Sequence, residues 1–178
     1  MIAFILAMSI ATLRPLPPPK SDLGEMVVGA AGQPIVLADF RGSARDGSAR
    51  QAMIEGFARL KLYMTAHHLR GVPGALPMAS IARFDDETGV LTGAVAYAIR
   101  ETPPSSSGAI GIRFGETPAG RLVRFQAHGA FGRADSEYED FVGWLSKHDL
   151  HPRSEAWEVY ARQDGDDGPL TYVYYPLP

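Results

Sequence analysis

The chain has 178 residues, 46% of them hydrophobic, which is enough for one domain with its own core and too few for two of full size. Its 17 Lys and Arg against 20 Asp and Glu leave a net charge of -3, so no basic footprint attracts nucleic acid, and none is expected as a partner. Cysteine is absent, which excludes disulfides, thiolate nucleophiles and thiolate-rich metal sites and leaves carboxylates, hydroxyls and imidazoles to carry any chemistry.

Met1 to Leu13 are uncharged and mostly apolar, followed by Arg14 and the proline-rich stretch 15–19. The run is shorter than the roughly 20 residues of a spanning helix and lacks the positive start and small-residue cleavage site of an export signal. Two readings stay open: a degenerate anchor or export signal, or a misassigned start or segment packed on the domain. A cytoplasmic location is expected, with an anchored or exported form as the alternative, and membrane contact only through residues 1–13. Residues 14–32 read as a linker, because proline removes backbone donors and favours extended chain. The division is therefore 1–32, apolar segment and linker, and 33–178, folded domain.

Pro34 to Phe40 is rich in Ile, Val and Leu and reads as a strand that ends at Arg41-Gly42. Ser48 with Gln51 makes a capping box, and Ala49, Met53, Phe57, Leu60 and Met64 form one buried helical stripe that ends near Leu69. Gly71, Pro73 and Gly74 break the chain. Met78 to Phe84 and Leu91 to Ile99 then form a hairpin around Asp85-Asp86-Glu87-Thr88-Gly89. Beyond a Pro and Ser loop, Ile110 to Phe114 is a short strand, after which the order repeats. Arg121 to Ala127 reads as a strand, Ser136 with Glu139 as a second capping box, and Tyr138, Phe141, Leu145 and His148 as one helical face with Trp144 beside it. Trp157 to Arg162 and Leu170 to Tyr175 close the chain as a second hairpin. The expected fold is α+β: a duplicated strand-helix-strand-strand unit, in copies of about 33–100 and 110–178, forming one antiparallel sheet. Both helices lie on one face, and a ligand cleft opens between the copies.

Five stretches carry a resemblance. They are Glu116-Thr-Pro-Ala-Gly120, His128-Gly129, Phe141-Val-Gly-Trp144-Leu145, Trp157-Glu158-Val159-Tyr160 and Tyr172-Val-Tyr-Tyr-Pro176. On these the chain resembles the GyrI-like, or AraC effector-binding, family of small-molecule-binding domains, specifically in the second copy and loosely in the first. Ala79, Ser80 and Ala82 stand where Trp157, Glu158 and Tyr160 stand in the second copy, so a pocket polar on both sides is not implied. Members of the family occur as sensor domains behind helix-turn-helix segments, as standalone proteins including gyrase inhibitors, and as hydrolases of cyclopropane-containing genotoxins. No room for a DNA-reading segment is seen, so the resemblance implies a standalone multidrug-type binder or a small hydrolase.

Alternation along a strand puts Glu158 and Tyr160 on one face, with Trp157 and Val159 on the other. A carboxylate among aromatics attracts cationic or polarised ligands, and the resemblance implies that this glutamate sits in the ligand pocket. Its other reading is a solvated residue or a partner of Arg124 or Arg162. Trp144, Tyr172 and Tyr174 are candidate pocket walls, each with core packing as its alternative. His67-His68 diverge by about 100° on a helix and His148 and His151 straddle a helix end, so no metal is expected. His128 beside Gly129 reads as a turn cap. Nucleophile-elbow, P-loop and dinucleotide motifs are missing, and no cofactor is expected. The leading expectation is a binding module anchored by Glu158. The alternatives are a cofactor-independent hydrolase using Glu158 and Tyr160 as its catalytic pair, and a gyrase-inhibitor-like protein-interaction role. The sequence is silent on oligomeric state.

Overall fold

The structure, a computed structural model, describes residues 14–15, 25–29, 32–101, 110–128, 135–161 and 170–178. In chain order the elements are β1 (Arg14–Pro15), β2 (Glu25–Gly29), β3 (Pro34–Ser43), α1 (Ser48–Ala66), β4 (Met78–Asp85), β5 (Val90–Ala98), β6 (Ile112–Glu116), β7 (Gly120–His128), α2 (Asp135–Lys147), β8 (Ala156–Ala161) and β9 (Leu170–Pro176). The strands form one antiparallel sheet in the order β1-β2-β7-β9-β8-β4-β5-β3-β6. The unit β3-α1-β4-β5 recurs in order as β7-α2-β8-β9. In each unit the first strand lies farthest from the centre and the second lies at the junction, where β4 pairs with β8.

Alternation decides what each face buries. Val36, Ala38 and Phe40 of β3 pack with Val95 of β5 against Met53 and Leu60 of α1, while Ile35 and Leu37 join Ala94, Ala96 and Ala98 on the opposite face. The register carries these faces across the sheet. Val95 lies opposite Ala79, Ala79 opposite Glu158, Glu158 opposite Val173, and Val173 opposite Phe125, so all five share the α1 face. Phe125 stacks on Phe141 of α2 at 4.3 Å, which puts α2 on that face too. Each fully buried side chain of this kind, such as Leu60 or Phe141, contributes about 1.5–3 kcal/mol. Ile81 packs against both helix-covered clusters and joins them at the centre.

Two glycines set the spacing. A Cβ at Gly56 would come within 2.8 Å of Val95 Cγ2, so α1 rests on the sheet at a distance only glycine permits. A Cβ at Gly93 would collide with the Ser80 carbonyl, which the β4 irregularity between Ile81 and Arg83 brings close.

Three local expectations change. The first capping box does not form. Ser48 is the first helical residue, its hydroxyl accepts from Ser43 N at 2.8 Å, and Asp46 Oδ1 accepts from Ser48 N at 2.8 Å instead. Pairing of Arg41, Gly42 and Ser43 with Thr92, Leu91 and Val90 of β5 carries β3 past Arg41-Gly42. Within the stretch read as linker, Glu25–Gly29 pairs with β7 and Arg14–Pro15 pairs with it in turn, because Met-Val-Val is a strand-forming run despite the prolines before it. The side chains of the second capping box, and residues 1–13, lie outside the described residues. Among the described residues no helix is long and apolar enough to cross a membrane.

Candidate functional site

The helices cover the two ends of the sheet: α1 packs on β3 and β5, and α2 on β7. Between them, over β4 and β8, Ile81, Glu158 and Tyr160 remain partly exposed. Glu158 and Tyr160 are two apart on β8 and point the same way, as alternation requires, and the Tyr160 hydroxyl donates to Glu158 Oε2 at 2.5 Å. Such a bond orients the carboxyl group.

One wall comes from α1. Phe57 meets Tyr160 edge-on at 6.3 Å and tilts against Tyr97 at 5.4 Å, so an aromatic series runs from β5 over α1 to β8. Ile54 stands three residues before Phe57, on the same side of the helix, and is 52% exposed. Phe84, 51% exposed, shares this sheet face, since it lies opposite Leu91 of the α1-covered cluster. Ala79, a small residue, lies opposite Glu158 on the neighbouring strand. The site is thus an apolar and aromatic strip of sheet beside α1, with one carboxylate hydrogen-bonded by a phenol.

Glu158 and Tyr160 therefore come together, and the other named residues do not join them. Trp144 is buried in the core under α2, parallel to Phe141 at 5.7 Å. Tyr172 lies opposite Val159 and Tyr174 opposite Trp157, which places both tyrosines on the face away from the helices. There the Arg124 guanidinium sits 5.1 Å over the Tyr172 ring. The first copy also aligns differently from the sequence reading. Ala79 shares a face with Glu158, whereas Ser80 lies opposite Trp157 on the other face, where its hydroxyl donates to the Glu155 carboxylate. A one-residue slip exchanges the faces of a whole strand.

Phe57, Tyr97 and Ile81 were not singled out for a site from sequence. Phe57 was read as one more member of the buried helical stripe, and its place at the edge of that stripe was the available signal. The histidines are dispersed: His67 packs on Tyr63 at 4.2 Å, His148 on Trp144 at 4.4 Å, and His151 bonds Asp149 at 2.9 Å. Among the described residues no three His, Asp or Glu side chains are grouped to hold a metal ion. The side chain of His128 lies outside the described residues.

A separate cavity of about 150 Å³ lies not over Glu158 but beyond Tyr97, between the end of α1 and the turn at Gly71.

No protein-family model matches the chain, and no curated protein does. Solved structures do match. The C-terminal domain of EcmrR superposes with a TM-score of 0.63 at 14% identity, covering 84% of this chain and 99% of that domain. In the EcmrR–DNA complex the chain matches 58% of EcmrR's length. A hydrolase from Listeria innocua gives 0.54 at 12% identity, covering 91% of this chain and 94% of that one. SAV2435 bound to tetraphenylphosphonium gives 0.51 at 15%, covering 87% and 93%. At these identities the likeness is one of fold: the chain has the α+β fold of the GyrI-like effector-binding proteins.

Proposed function

We propose that the protein binds lipophilic, aromatic cations over the strip of sheet between α1 and α2, with Glu158 as the charged anchor, Tyr160 as its positioner and Phe57 as the aromatic wall. The observation that carries this reading is the Glu158 carboxylate, partly exposed, held by the Tyr160 hydroxyl at 2.5 Å and set among Phe57, Tyr97, Ile81 and Ala79. An aliphatic and aromatic surface removes a ligand's apolar groups from water, and a carboxylate in such surroundings attracts a cation more strongly than one in bulk solvent. SAV2435, which shares the fold, is bound to tetraphenylphosphonium, a ligand of this chemistry. A cytoplasmic location is part of the proposal.

A second reading is favoured by one feature. A carboxylate and a phenol in direct hydrogen bond are an acid–base pair able to orient a water molecule, and a hydrolase shares the fold. A thermal-shift screen of planar and quaternary cations beside neutral aromatics, with product analysis of every compound that stabilises the protein, separates the two. Stabilisation by cations without turnover supports binding. Turnover that disappears in both Glu158→Gln and Tyr160→Phe supports hydrolysis, and no stabilisation by any compound, cationic or neutral, removes both.

A further inference from the structure

The 150 Å³ cavity beyond Tyr97 is walled by Met64 of α1, by Gly71, Val72 and Ala75 of the following turn, and by Tyr97 and Ala98 of β5. Its backbone polar groups are occupied. Gly71 bridges Ile99, Val72 N donates to Ala98 O at 3.0 Å, and Ala75 N donates to Val72 O at 3.1 Å. What faces the cavity is therefore carbon, and the turn is held from behind by Arg70, which pairs with Glu101 at 2.7 Å. The space beside Gly71 is open, since a Cβ there would meet Ala98 O at 3.8 Å and Met64 Cε at 3.9 Å, ordinary contact distances.

One charged residue lines the cavity. Lys61 stands one helical turn from Phe57 and, among the described residues, makes no ion pair. Its apolar stem can lie along the wall while its ammonium reaches the rim. The pocket is open on one side, and its volume matches the size of a single aromatic ring. An unpaired ammonium at the mouth favours an anionic substituent over a neutral or cationic one.

From these features we infer that this cavity is a second binding site, selective for single-ring aromatic carboxylates, with the ring against Met64, Val72 and Tyr97 and the carboxylate at Lys61. Glu158 does not line it, so the inference stands or falls independently of the cation site.

The test is titration of the full chain with benzoate, benzyl alcohol and benzylamine, following the backbone amide resonances of Gly71, Val72 and Ala98. Benzoate is expected to shift these resonances saturably and more tightly than either comparator. Lys61→Gln is expected to weaken benzoate about two- to fivefold, the scale of a solvent-exposed charge pair, while leaving benzyl alcohol within about twofold. Ala75→Leu, which fills the cavity, should weaken both by about tenfold or more, and Glu158→Gln should change neither. Lys61 is exposed, so its variant folds irrespective of how Ala75→Leu behaves. Absence of saturable shifts, equal affinity for benzylamine and benzoate, or insensitivity of benzoate to Lys61→Gln would each overturn the inference.

Discussion

Gly56→Ala sets two effects of opposite sign against each other. In an open helix interior the replacement adds about 1 kcal/mol of stability, because alanine loses less backbone freedom on folding. Here the new methyl would lie 2.8 Å from Val95 Cγ2. Val95 is fully buried and β-branched, so it has no alternative rotamer to retreat into and α1 must lift from the sheet. Overpacking of this kind costs about 1–3 kcal/mol, which exceeds the propensity gain and leaves a net loss of about 1 kcal/mol. With a typical urea dependence of about 2 kcal/mol per molar, the denaturation midpoint should fall by roughly 0.5 M at unchanged slope. In a Val95→Ala background the obstruction is gone and the same change should stabilise, a reversal that a double-mutant cycle isolates. Lifting α1 also withdraws Phe57 from Tyr160, so weaker cation binding should accompany the loss of stability. If Gly56→Ala stabilises the protein in the wild-type background, the close seating of α1 and the role assigned to it are wrong.

Other substitutions probe the remaining devices. Gly93→Ala drives a methyl into the Ser80 carbonyl, where no side chain can yield, and should lower the melting temperature more than Gly56→Ala does in the same thermal-melt comparison. Asp46→Ala should destabilise α1 while Gln51→Ala does not, because Asp46 and not a capping box holds the Ser48 amide; equal effects in thermal melts would contradict that assignment. The bond from Arg70 holds the Glu101 carboxyl below its ordinary value of 4.5. A depressed carboxyl adds stability that is complete above the unfolded value and is lost as pH falls through the folded one. Urea midpoints of Glu101→Gln should therefore depend less steeply on pH below 4.5 than those of the wild type, with parallel curves near neutrality.

The order of elements was legible because each rests on local chemistry: alternating apolar strands, a 3.6-residue stripe in α1, and an Asp-to-Gly hairpin turn whose Asp85 carboxylate accepts from Thr88 N at 2.9 Å. Glu158 and Tyr160 were legible for the same reason, since a separation of two along one strand needs no knowledge of its neighbours. Tyr172 and Tyr174 were not, because their relation to Glu158 depends on how β9 registers on β8, a non-local quantity that no pattern within β9 contains. Ser80 was misaligned for a related reason, as loose first-copy matches cannot fix pairing to one residue. Trp144 was read as a candidate wall with core packing as its alternative, and the structure gives the core, where Phe125 of β7 meets Phe141 of α2. The proline-rich approach hid β2, whose stabilising partner, β7, lies about a hundred residues away in sequence.

The most direct measurement is a pair of calorimetric titrations of wild type and Glu158→Gln, one with tetraphenylphosphonium and one with neutral triphenylphosphine oxide. A carboxylate about 5 Å from a unit cation contributes about 3 kcal/mol at an effective dielectric constant of about 20, so the substitution should weaken the cation about tenfold or more and leave the neutral compound within about twofold. Equal losses for both compounds, or none for the cation, would contradict a charged anchor at Glu158.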